Sequence, residues 1–86
     1  MASYVLEIKK SAAKELADLL SKDLSRIVER IQALAVAPRP PGSEKLSGEE
    51  KYRIRQGNYR VLYEVDDAAR KVTVVRVAHR REVYRK

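Results

Sequence analysis

The chain opens on an alternation. In "SYVLEIKK" Tyr4, Leu6 and Ile8 fall on one side and Val5, Glu7 and Lys9 on the other, the period-2 pattern of a strand with one buried face. Ser11 then stands where a helix N-cap belongs, ahead of "AAKELADLL", whose Ala13, Leu16, Ala17 and Leu20 form a narrow apolar stripe. Ser21 or Asp23 suits the cap of a second helix, "LSRIVERIQALA". There Leu24, Ile27, Val28, Ile31, Leu34 and Ala35 recur at helical spacing, and Arg26, Glu29, Arg30 and Gln32 lie off the stripe. Two short adjacent helices read as an αα-hairpin that needs a sheet to pack on.

Prolines 38, 40 and 41 stop the second helix, and residues 37–50 read as a surface loop with Leu46 as its one anchor in the core. Beyond it, "KYRIRQGNYRVLYEV" is two alternating runs separated by Gly57-Asn58, which suits a two-residue type II′ turn. That turn pairs 55 with 60, 54 with 61, 53 with 62 and 52 with 63. Opposite residues of an antiparallel ladder share a side. Tyr52, Ile54, Val61, Tyr63 and Val65 then face the helices, and Arg53, Arg55, Arg60, Leu62 and Glu64 face away. "KVTVVRVAH", apolar on both faces, reads as an interior third strand after the turn "DDAAR", with Asp66 and Asp67 as turn formers rather than metal ligands. The predicted fold is α+β, in the order β-α-α-β-β-β. It is a four-stranded sheet with a C-terminal antiparallel meander, both helices on one face, and the first strand beside the last. The 86 residues predict one domain, 1–86.

Composition adds little until charge is mapped. There is no cysteine, hence no disulfide or thiolate chemistry, and no apolar run long enough for a membrane span or a signal peptide. The expected location is cytoplasmic. Residues 1–50 hold eight Lys/Arg against eight Asp/Glu, whereas residues 51–86 hold eleven against four, so the whole +7 lies in the last part of the chain. Such a footprint suits an anionic partner, most often nucleic acid; a solvated basic surface is the plainer alternative.

The hairpin sharpens this. Arg55 and Arg60 face each other, a like-charge pair that normally destabilises a sheet. A phosphate gripped by two guanidinium forks relieves the repulsion; a diagonal pair with Glu64 does so structurally. Arg76 cannot be solvated on the core face and is expected beside Arg60. His79, at the strand end, is solvent-exposed or part of an RNA-binding surface with Arg76 and Arg81. Arg80 adds charge there, and Tyr84 either stacks on a base or packs the tail onto the sheet.

"KLSG", "YRIRQGNYRVLYEVDD" and "VVRVAHRREVY" resemble the RelE/ParE superfamily of toxins from bacterial toxin–antitoxin modules, over nearly the whole chain. RelE-type members are ribosome-dependent mRNA interferases. The resemblance implies endoribonuclease cleavage of mRNA in the decoding site, with the substrate's 2′-hydroxyl as nucleophile, no metal, no cofactor, and a cognate antitoxin as partner. It implies catalytic roles for Arg53, Arg55, Arg60, Arg80 and Tyr84. Arg53 and Arg55 match backbone-holding basic residues, Arg60 a contact to the scissile phosphate, Arg80 the arginine after the last strand, and Tyr84 the C-terminal tyrosine. RelE members carry lysine where this chain has Arg53 and Arg55. Arginine does not deprotonate, so Tyr84, Glu64 and His79 remain the candidate bases. Two other readings stand: a ParE-type poison of DNA gyrase, and a non-catalytic module that binds RNA or antitoxin.

Overall fold

The β3–β4 hairpin fixes the frame. In the computed structural model, which describes residues 3–46 and 50–79, β3 (Lys51–Gln56) pairs with β4 (Tyr59–Asp66) in the expected register, Arg55 opposite Arg60 and Tyr52 opposite Tyr63. Gly57 has φ +60°, and Asn58 is not among the residues with positive φ, as a type II′ turn requires. β5 (Lys71–His79) completes the meander and sits inside the sheet, flanked on its other side by β1 (Val5–Ile8), which runs parallel to it. β1 feeds directly into α1 (Lys10–Ala17), and α2 (Ser21–Ala33) follows.

Among the described residues the sheet has five strands, not four. Glu44–Lys45 forms a two-residue β2 against Arg53 and Tyr52 of β3, giving the order β1-β5-β4-β3-β2. Two residues are too few for any periodicity to show.

Both helices pack on one face, where Ala12, Leu16, Ile27, Ile31 and Leu34 meet Tyr52, Ile54, Val61, Tyr63, Val65, Val72, Val74 and Val77. The second stripe matches its prediction. The first does not: Ala12 and Leu16 are buried, while Ala13, Ala17 and Leu20 are exposed. Nor does Ser11 cap α1. Because β1 runs straight on, Lys9 is the N-cap residue, its N–H bonded to the Val74 carbonyl and its carbonyl to the Ala13 N–H. Ser11 lies inside the first turn. Leu20 takes the cap position of α2 without a side-chain bond, so Ser21 and Asp23 are helical.

β5 carries a bulge. Tyr63 pairs with Val74 and Leu62 with Arg76, so Val75 is the extra residue. An unbroken strand would send positions 72, 74 and 76 the same way and bury Arg76 under the helices. The bulge inverts the alternation, leaving Val77 in the core and Arg76 on the outer face.

The loop after α2 is not held by Leu46, which is half-buried and outside the core cluster. Two other contacts tie it down. The Tyr63 hydroxyl donates to the Pro38 carbonyl at 2.7 Å, and burial pushes that phenol's pKa up. Arg39 gathers the second tie: Nε donates to the Tyr52 hydroxyl at 2.8 Å, and Nη2 to Glu50 at 3.1 Å and Asp67 at 2.8 Å. Tyr4 donates to Asp67 at 2.6 Å, and Lys45 meets Glu50 at 3.1 Å. At the β4–β5 turn Asp66 accepts from the Ala69 N–H at 3.0 Å, the turn role expected of it.

This network predicts an acid limb to stability. Arg39, then Tyr4, hold the Asp67 carboxyl below its usual range, and Lys45, Arg39 and Tyr52 do the same for Glu50. A carboxylate whose folded pKa is depressed contributes stability above its unfolded value, about 4, and loses it as pH falls through the folded value. The melting temperature should therefore fall on acidification below about pH 4, and Asp67→Asn should flatten that fall. Parallel wild-type and variant profiles in a circular-dichroism melt series would show that Arg39 does not clamp the loop through Asp67.

Candidate nucleic-acid interface

The face of the sheet turned away from the helices is built in cross-strand rungs. Nearest the hairpin turn, Arg55, Arg60 and Ala78 lie side by side across β3, β4 and β5. The next rung is Glu44, Arg53, Leu62 and Arg76, and the one beyond is Lys51, Glu64, Thr73 and Glu7. Rungs on one face lie roughly 7 Å apart, about the spacing of successive phosphates in an extended strand. Four arginines thus share two adjacent rungs.

Each is held differently. Arg53 pairs with Glu44, a partner that sequence reasoning missed because β2 was read as loop. Arg55 is exposed, and its carbonyl accepts from Arg30 Nη2 at 3.4 Å, so α2 reaches the edge of the hairpin. Arg60 is half-buried, with Nε and Nη1 shielded from water. Packing therefore limits its motion before any ligand arrives. Arg76 sits diagonal to Arg60, on the expected face, and reaches Glu15 of α1 at 3.4 Å.

The alternative partner Glu64 and the candidate His79 both lie elsewhere. Among the described residues Glu64 does not pair with an arginine. It faces Lys51, with a 3.9 Å ion pair, and lies four residues along β4 from Arg60, roughly 13 Å away. His79 is not on the arginine face: it pairs with Tyr59, which follows the core-facing alternation of Val61 and Tyr63. Its ring meets the Tyr59 ring edge-on at 5.8 Å, beside Leu19 and Asp18. Strand parity decides this, and the bulge at Val75 sets the parity. Arg80, Arg81 and Tyr84 lie outside the described residues.

A hollow of about 660 Å³ opens on the outer face at the far end, lined by Glu7, Lys9, Lys51, Glu64, Lys71 and Thr73 among others. Its charges alternate in sign, so it lacks the single-sign field of the arginine rungs. No helix among the described residues is long and apolar enough to cross a membrane.

A five-stranded sheet with two helices on one face and arginines on the other defines a RelE-like α+β toxin fold. The family model for the ParE toxin of type II toxin–antitoxin systems, parDE, matches residues 6–84. Toxin RelG of Mycobacterium tuberculosis is 31% identical over 87 residues, covering 96% of this chain and 98% of that one. The isolated Escherichia coli RelE toxin superposes with a TM-score of 0.79 at 30% identity, covering 94% of this chain and 90% of its own. The toxin–antitoxin complex RelBE2 of M. tuberculosis gives 0.79 at 28% identity, covering 91% and 99%. This chain belongs to the RelE/ParE superfamily of toxins from type II toxin–antitoxin systems.

Proposed function

We propose that this toxin is a ribosome-dependent endoribonuclease of the RelE type, cutting mRNA by attack of a 2′-hydroxyl on the adjacent phosphate. The observation that carries the reading is the in-register pair Arg55–Arg60, with Arg53 and Arg76 on the next rung. As the 2′-oxygen–phosphorus bond forms and the 5′-oxygen leaves, negative charge grows on the non-bridging oxygens. Preorganised guanidinium groups are worth most at that point. Glu64 and His79 lie off these rungs, so among the described residues the face supplies charge and orientation rather than a base. Arg80 and Tyr84 keep the roles that the resemblance implies, Arg81 keeps its place in the expected RNA-binding surface, and the arrangement asks for no metal or cofactor.

Its partner in this reading is a cognate antitoxin with an acidic or amphipathic segment, matched to the net charge of +7. The RelE-type toxins of M. tuberculosis and Pyrococcus horikoshii are found in complexes with their antitoxins.

Primer extension on translating ribosomes tests the activity. New 5′-ends within codons, a 2′,3′-cyclic phosphate on the upstream fragment, and no cutting of the same mRNA without ribosomes are expected. The family model favours one other reading, since its type member is a ParE toxin. Gyrase-dependent DNA breaks with intact mRNA would select that reading and overturn the nuclease.

A further inference from the structure

β1 covers β5 only from Lys71 to Val74, and the Lys9 N–H closes the ladder on the Val74 carbonyl. Past the bulge, no strand among the described residues lies beside that edge of β5. The Val77 N–H on that edge is met by a side chain: Glu15 Oε1 accepts it at 2.7 Å. The second oxygen of the same carboxylate stands 3.4 Å from Arg76 Nε, which is shielded from water. Glu15 is fixed from below, lying on α1 next to Leu16 and one turn from Ala12, both in the core. Its side chain is 31% exposed and that of Arg76 36%, so the pair sits at the border of the arginine face.

We infer that Glu15 is a positioning residue that pins the bulged half of β5 and holds Arg76 as an internal substitute for a phosphate. This rests on the nucleic-acid reading of the arginine face. One carboxylate does two separable things. Through Oε1 it fixes the strand that sets Arg76 and Ala78 against Leu62 and Arg60. Through Oε2 it competes with an anionic ligand for Arg76, so RNA must displace it before Arg76 counts toward binding. The fourth arginine is thereby kept in reserve, which weakens capture of stray RNA.

Glu15→Gln separates the two roles, because an amide oxygen still accepts the Val77 N–H but carries no charge for Arg76. Binding of a short labelled single-stranded RNA is followed by fluorescence anisotropy over a range of salt. Glu15→Gln should bind more tightly at low salt, with a log–log salt slope steeper by about 0.7, one more phosphate contact on a single strand. Adding Arg76→Gln to it should remove the increment. Hydrogen exchange at the Val77 amide should stay slow in Glu15→Gln and become fast in Glu15→Ala. A Glu15→Gln slope equal to wild type, with wild type binding RNA, would overturn the inference alone. Wild type with no salt-dependent binding would sink it together with the nucleic-acid reading.

Discussion

Arg60→Ala is expected to lower ribosome-dependent cleavage by roughly 10²–10³, about 3–4 kcal/mol of transition-state stabilisation. The residue stands at the centre of the arginine face, opposite Arg55 on one side and Ala78 on the other, and diagonal to Arg76. Its guanidinium is packed in part, with Nε and Nη1 shielded from water. In the proposed reaction a guanidinium already held by packing contributes most as charge develops on the phosphate. Two opposing effects on stability accompany the loss. Removing one of two facing like charges relieves repulsion, worth a few tenths to about 1 kcal/mol, while the lost aliphatic stem uncovers its neighbours. The melting temperature should therefore move by only a few degrees. Arg60→Lys should restore activity in part, since an ammonium cannot reproduce the planar fork. If Arg60→Ala melted much earlier and its folded fraction cut mRNA at the wild-type rate, these arginines would be structural.

What could be read from the sequence divides along range. The hairpin register was legible because a Gly-Asn turn and a period-2 pattern are local, and together they fix which residues face each other. From that register followed the shared side of Arg53, Arg55 and Arg60 and the core side of Tyr52 and Tyr63. The interior place of β5 was legible for a reason that proved incomplete. The run "VTVVRV" is apolar on both faces partly because a bulge at Val75 switches the alternation midway. The same bulge delivers Arg76 to the arginine face and carries His79 away from it, and nothing in the local pattern marks it. The counter-ions were out of reach for a related reason. Glu44 meets Arg53 through a two-residue strand, and Glu15 meets Arg76 across 61 positions of chain, so only the folded arrangement brings them together. Arg39 read as part of a proline connector; in the fold it is the point where Tyr52, Glu50 and Asp67 converge.

Ile27→Ala should damage the fold severely, costing about 2–5 kcal/mol. Ile27 is fully buried in α2, between the helix and the sheet. Neither helix has a side-chain N-cap bond, and a short helix without one depends on its packed face. Truncation removes the transfer free energy of the lost methylenes and leaves a cavity that Ile31, Leu34 and the strands can close only in part. Against a total of about 5–15 kcal/mol for a small domain, this is a large fraction. At about 4–8 °C per kcal/mol the midpoint should drop by about 8 °C or more. Ile27→Val, which keeps the β-branch, should cost only about 0.5–1.5 kcal/mol. The contrast with Arg60 is the useful part. Well below the melting transition, the folded fraction of Ile27→Ala should cut mRNA at the wild-type rate, because Ile27 lies in the core on the other side of the sheet, and α2 meets the hairpin through Arg30 and the Arg55 carbonyl. A midpoint lowered by less than a few degrees would mean that α2 does not pack on the sheet through Ile27.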